Sequence, residues 1–326
     1  MTTRPFTPET TMNAIKRIAV PTMALTALLA AGCGDSFTPV SYVERARVLG
    51  ARVSAASDPT RAWIKPGEDA TVTWLMAARR DPTPMAWAFA LCPGTSCSDA
   101  PLAMMSGQGT VPAATFTMPD GSALGSARTV SLLGAICADG TLGFDARSAL
   151  PTCTGDGASD TNVSFTITAQ LGDGTNHHPV LADDLLQLDG ADWTTGPMPP
   201  VDSACDPTTG LPLVGATPDG QKAVKHAIRL VSDGNDREIY LGGDPPAPTL
   251  EELQLSQFTT AGTLDHHFSE IPATDSRPDA DVTVDWEPPA AKDVGAQGLV
   301  VQLHFVARDM RGGIDWIHRA LCVIAP

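Results

Sequence analysis

The sequence predicts a mostly β protein: two antiparallel β-sandwich domains behind a short N-terminal export leader. Three observations predict it. Apolar residues recur with a period of two in segment after segment. Turn signals built on Gly and Pro separate those segments, and helical periodicity is sparse. At 326 residues and 43% hydrophobic, the chain has the length for two domains and the apolar content to give each a core. Twenty-one basic against 37 acidic side chains give a net charge of −16, which excludes nucleic acid as a partner because no basic surplus exists to displace counterions. The same balance opposes electrostatic docking on anionic lipid.

The leader comes first. Lys16-Arg17 precede an uncharged run from Ile18 to Ala31, and Gly32-Cys33 follow it. A basic start, a short apolar centre and small residues before a cleavage point describe an export signal over residues 1–32. The run is too short to span a membrane, which takes about 20 apolar residues. Met12 offers a second start, and MNAIKR leading directly into the apolar run is the tighter signal.

Leu29-Ala30-Ala31-Gly32-Cys33 resembles a bacterial lipobox, in which the Cys becomes the lipidated first residue of the mature chain. Ala30 stands where that motif prefers Leu. The resemblance implies a membrane anchor at Cys33, and Gly34 in second place implies the outer membrane. Parity agrees: assigning Cys33 to lipid leaves six of the seven cysteines, an even number for an oxidising compartment. Removing residues 1–32 takes away Arg4, Glu9, Lys16 and Arg17, so the mature 294 residues carry −18.

After a tether at 33–41, the first domain is expected at 42–195. Val72, Trp74 and Met76 share one strand face, and Trp87, Phe89 and Leu91 alternate with Ala86, Ala88 and Ala90. Val163, Phe165 and Ile167 repeat the pattern. Residues 196–220 hold six prolines and four glycines without periodicity and read as a linker. The second domain, 221–326, carries Leu299, Val301, Leu303 and Phe305 on one strand face. Thr249 to Glu252 has capping-box spacing and predicts one or two helical turns. The run from Val180 to Leu188 fits helix or strand.

Val43–Val53, Lys65–Trp74 and Trp87–Pro93 resemble the first strands of an Ig-like module, and Phe305–Trp316 resembles the last hairpin of PKD-like or cadherin-like Ig modules. Both ends, with Arg311-Gly-Gly and Arg319-Ala-Leu-Cys322, also look like uncharacterised lipoproteins of myxobacteria. The resemblance implies two Ig-like sandwiches and no particular activity.

Six cysteines allow fifteen pairings. Local spacing suggests Cys92–Cys97 around a Pro-Gly turn, Cys137–Cys153 closing a loop, and Cys205–Cys322 tying the linker to the last strand. Zinc is the rival reading, weakened because no second close pair follows Cys92-x₄-Cys97. For calcium, Asp233, Asp236, Asp279 and Asp281 offer hard oxygen ligands, although Asp-Gly loops are ordinary turns too. His177-His178 and His266-His267 are metal candidates whose adjacent side chains would point to opposite faces of a strand. Tryptophans are more often core than ligand-binding; Trp74, Trp87, Trp286 and Trp316 read as core, and Trp193, outside any clear strand, is the candidate weighed for exposure and contact with a glycan or peptide.

The sequence contains no nucleophile elbow, zincin helix, phosphate loop or dinucleotide fingerprint. The expected function is therefore a non-enzymatic binding, adhesion or structural module of the cell envelope, without cofactor, held to the membrane by Cys33 and facing a protein or glycan. The alternative is an envelope enzyme or metal binder using the acidic loops or the His pairs.

Overall fold

Alternation places Val72 and Trp74 of one segment and Trp87, Phe89 and Leu91 of another on buried strand faces, and the molecule is built on such strands. The computed structural model describes residues 39–78, 84–97, 100–138, 140–155, 161–232 and 237–325. The leader, Cys33, Asp233 and Asp236 lie outside the described residues. Residues 39–326 form a single compact unit. It is mostly β, with several antiparallel sheets and almost no helix. Among the described residues no helix is long and apolar enough to cross a membrane.

The first half contains β1 (Arg47–Ala55), β2 (Asp69–Ala77), β3 (Met85–Pro93), β4 (Ala103–Gly109), β5 (Ala113–Thr117), β6 (Thr129–Cys137), β7 (Thr141–Phe144), β8 (Pro151–Thr154) and β9 (Asn162–Thr168). Sheet β1-β2-β5 and sheet β4-β3-β6-β9 contribute side chains to one core, where Trp74 stacks on Phe89 at 4.2 Å. Strand β3 is buried on both faces. Its alternate alanines, Ala88 and Ala90, face away from the core, yet they are buried too. The β7–β8 hairpin packs against β3 and β6, and Cys137–Cys153 fastens it there.

The second half contains β10 (Gln187–Leu188), β11 (Ala191–Asp192), β12 (Leu213–Gly215), β13 (His226–Val231), β14 (Ile239–Gly242), β15 (Ala247–Leu250), β16 (Leu253–Thr259), β17 (Thr263–Leu264), β18 (Phe268–Ile271), β19 (Asp281–Glu287), β20 (Leu299–Arg308) and β21 (Ile314–Ile324). Its sheets run β11-β10-β13-β19-β17 and β12-β21-β20-β16-β18, with β12 parallel to β21 and β14–β15 a separate hairpin. The second core runs from Leu181 to Val323 in sequence. Leu181, Leu186, Leu188 and Trp193 pack in it, although sequence placed them before the linker. Val214 and Ala216, within the expected linker, pack there as well.

Two local expectations are corrected. Thr249 of β15 pairs with Tyr240 of β14 and Glu252 precedes β16, so the capping-box spacing ends in strands rather than helical turns. Burial of Leu253 and Leu255 on one strand face and pairing to β20 outweigh that local signal. Trp193 is buried at 3% exposure, because its backbone is drawn in by Leu186 and by Arg319.

Three disulfides join Cys92–Cys97, Cys137–Cys153 and Cys205–Cys322, with Cα separations of 5.1, 5.5 and 5.7 Å. These lie in the ordinary range.

Candidate functional site

The two halves meet along an apolar seam. Leu49, Leu75 and Ala77 of the first pack against Phe258, Val306 and Ile314 of the second, together with Val43. A β-bulge makes this possible. Val48 faces Met76 and Gly50 faces Leu75, so Leu49 is the extra residue of β1 and enters the seam. Around this apolar strip, Arg52 pairs with Asp315 at 3.0 Å, and Asp315 accepts from the Leu181 amide.

At one end of the seam, the turn between β20 and β21 plugs into both halves. Asp309, only 2% exposed, accepts from the backbone amides of Arg311 and Gly313, each at 2.7 Å. Asn176 donates to its other oxygen at 2.6 Å. A β-carbon on Gly313 would run into this carboxylate and come within 2.8 Å of the His177 carbonyl, which explains the second glycine of the Arg-Gly-Gly sequence. Gly312 has a φ of +108°, a conformation that favours glycine.

Arg311 joins four other stretches of chain to its own turn. Its guanidinium donates to Glu238 at 3.1 Å, to Glu251 at 3.3 Å and to the Thr175 carbonyl at 3.0 Å. Trp63 and Tyr240 flank it at 5.3 and 4.4 Å, and the Trp63 indole donates to the Arg311 carbonyl at 2.9 Å. Such a flat cation between aromatic faces is at home only as arginine. Arg237 lies beneath, donating to the carbonyls of Glu251, Pro272 and Asp275.

Burial sets the electrostatics. Desolvation and then the Asp309 charge push the Glu251 carboxyl up to about 8, with Arg311 opposing. Burial drives His178 down to about 4, helped by nearby Arg52. The Ile314 amide donates to His178 Nδ1 at 3.0 Å, so Nε2 carries the proton and donates to the Val53 carbonyl at 2.6 Å. One neutral imidazole thus bridges the backbones of both halves.

The candidate ligands separate. His177 turns to Glu238 and Asp58 while His178 faces inward, so the two rings do not converge. His266 pairs with Asp265 and Ser269, and His267 packs edge-on to Phe268. Asp281 is held by Arg229 at 2.9 Å and Arg277 at 3.1 Å, and Asp279 is exposed. No group of three or more His, Cys, Asp or Glu side chains able to hold a metal occurs among the described residues.

On the other side of the turn lies an open groove of about 490 Å³. Strand β1 supplies Val48 and Ala51, β9 supplies Asn162, Val163, Ser164 and Phe165, and the plug supplies Arg308, Met310, Gly312 and Ile314. Trp74 forms part of its wall. Among the described strands β9 is the last of its sheet, so the groove runs beside a sheet edge. Sequence reasoning assigned Trp74 and Phe165 to core and missed Trp63, Tyr240, Glu238 and Glu251 as a cluster. The signal available was the Arg-Gly-Gly turn, read only as a hairpin shape.

Neither a protein-family model nor a curated protein sequence matches the chain.

Proposed function

We propose that this is an exported, lipid-anchored cell-envelope protein that acts as a non-enzymatic binding module, built from two Ig-like β-sandwiches locked into one rigid body. The observation that carries the reading is the division of labour at the seam. The ionisable groups that converge there, Glu238, Glu251, Asp309, Arg311 and His178, are committed to one another and to backbone groups. The open groove beside them is mostly apolar. Glu251 Oε2 and Asn176 Oδ1 have no partner among the described residues, but the bonds these groups do make tie the two halves together, and an open, mostly apolar cleft beside such a lock supports recognition.

Strand order supports the Ig-like assignment. In the second half, β10-β13-β19 follows the A-B-E order and β21-β20-β16 follows G-F-C, whereas β17 and β18 come in the reverse chain order to C′ and D. In the first half, β1-β2-β5 faces β4-β3-β6-β9 across one core, which corresponds to A-B-E against C′-C-F-G. Three disulfides account for six cysteines and support an oxidising compartment. The seventh, Cys33, stands in the leader motif and is the anchor in this reading.

The test is affinity capture with the mature chain carrying Cys33→Ala, immobilised and exposed to envelope extract. A component retained by this chain and not by a Ser164→Trp variant, which fills the groove, is the expected result. A turnover activity on envelope material that disappears in Glu251→Gln or His177→Ala would contradict it.

A further inference from the structure

Strand β9 carries an open row of main-chain groups along the groove. Its bonds to β6 run through odd-numbered residues: at the two ends of the pairing, Ile136 N donates to the Thr161 carbonyl at 3.1 Å and Ala169 N to the Arg128 carbonyl at 2.9 Å. Backbone groups of an antiparallel strand point to alternate sides, so the amides and carbonyls of Asn162, Ser164, Thr166 and Thr168 point away from β6. The last of these is used. Ile64 N donates to the Thr168 carbonyl at 3.1 Å and Gln170 N to the Ile64 carbonyl at 2.8 Å, a parallel bridge that starts a fifth strand on this edge. The chain leaves the edge there, because Arg61 and Ala62 turn to His177 and Asn176. Asn162, Ser164 and Thr166 are exposed, and their outward amides and carbonyls meet no backbone partner among the described residues.

Native sheets blunt such edges with charge, proline or a bulge. Strand β1, across the groove, does so with Arg47, Arg52 and the bulge at Leu49. Strand β9, Asn-Val-Ser-Phe-Thr-Ile-Thr, holds no charge, no Pro and no Gly. Strands β4 and β5 also end their sheets, but residues 110–112 join them directly and they close the opposite side of the sandwich. The groove lies on the side left open, between β1 and β9.

We propose that β9 takes up an extended segment of a partner polypeptide as a further strand, with the alternate apolar side chains of that segment in the groove. The main-chain groups select the class of partner. Outward donors and acceptors recur along β9 at every second residue, about 6.6 Å apart, and an extended polypeptide repeats its own at the same spacing. The added strand continues the pairing that Ile64 already makes on this edge. The groove selects the side chains: Val48, Ala51, Val163, Phe165 and Ile314 offer apolar walls to one face of the incoming strand. Met310, Gly312 and Ile314 of the second half stand on the far wall, so the opening suits a single strand rather than the flank of a second globular chain. The inference rests on the binding-module reading and names the partner class for its groove.

The experiment is isothermal titration of the mature chain carrying Cys33→Ala. The probe is acetyl-Lys-Thr-Val-Thr-Val-Thr-Val-Thr-Lys-amide, compared with the same peptide N-methylated at every backbone amide. The first binds, and the second binds at least about tenfold more weakly, the worth of one or two hydrogen bonds. Hydrogen exchange reads the edge itself: bound probe slows the Ser164 and Thr166 amides. Ser164→Pro removes the central outward donor without touching the bonds to β6, so the chain keeps its cooperative thermal unfolding and binds the probe about tenfold more weakly. Equal binding of the two peptides, no heat up to millimolar probe, or bound probe that leaves Ser164 and Thr166 exchanging as before each overturns the proposal without recourse to a variant. Undiminished binding by a folded Ser164→Pro overturns it too. So does dimerisation of the free chain in sedimentation that Ser164→Pro abolishes, because a second copy then occupies the edge. If the probe fails while the capture experiment retains an envelope component, the partner class is wrong and the binding-module reading stands.

Discussion

Gly50 lies against Ile314 across the seam so closely that a β-carbon built on it would stand 2.8 Å from Ile314 Cδ1 and 3.4 Å from Val306 Cγ1. The contact joins β1 of the first half to the closing hairpin of the second. It follows from the bulge at Leu49, which shifts the register and brings the backbone itself to the partner surface. Gly50→Val therefore forces packed atoms apart, and overpacking of this kind costs about 1–3 kcal/mol. Urea unfolding would measure it as a lowered midpoint; a midpoint unchanged from wild type would mean that the seam is loose.

Arg311 is the centre of the lock. Its side chain is 14% exposed and serves Glu251, which is 0% exposed, and Glu238. Replacing it with Met leaves Glu238, Glu251 and the Thr175 carbonyl without their donor, and an unsatisfied buried polar group costs about 1–3 kcal/mol. Arg311→Lys keeps the charge but loses the planar fork between Trp63 and Tyr240, so it does not restore stability. Chemical denaturation of the three proteins checks both statements.

The acid limb of stability belongs to buried histidines. His178 is held down to about 4 and His304 to about 3, both chiefly by burial, whereas an unfolded histidine titrates near 6.5. The unfolded chain takes up protons first. Stability from these groups is thus complete above pH 6.5 and falls as pH drops toward 4 and then 3. A pH series of urea midpoints shows this decline, and His178→Gln flattens its upper part.

Glu251 acts on the alkaline limb. Its folded value, raised to about 8 from the usual 4.5, means that the native state keeps a proton the unfolded chain releases. The stability it contributes is present below pH 4.5 and lost as pH rises through 8. Glu251→Gln, which cannot ionise, gains on wild type above pH 8 in the same series.

The disulfides differ in worth by the loops they close. Cys205 and Cys322 are 117 residues apart, and Cys92 and Cys97 only five. In the chain-entropy model, removing the first by double Ser substitution costs about 4–5 kcal/mol and removing the second about 2 kcal/mol. Thermal unfolding of the two double variants orders them.

Strands such as β2, β3 and β20 were legible because their large apolar residues recur with a period of two in the sequence. The pairing of all six described cysteines was suggested by spacing, since each partner lies across a short turn or beside a chain end. Other features were hidden for physical reasons. Ala88 and Ala90 look like an exposed face but seat the β7–β8 hairpin, and only tertiary packing reveals the cover. Trp193 looks like a loop residue because the strands beside it are only two residues long. The Arg311 cluster gathers residues 63, 175, 238, 240 and 251 around one turn, and no local pattern links stretches that far apart.

We propose that Cys33 holds the β-rich body to the membrane. Detergent phase partitioning of the protein expressed in its own cell envelope, wild type against Cys33→Ala, tests this most directly. The account predicts that wild type enters the detergent phase and Cys33→Ala stays in the aqueous phase with its disulfides formed. A Cys33→Ala chain that still partitions with detergent would contradict it.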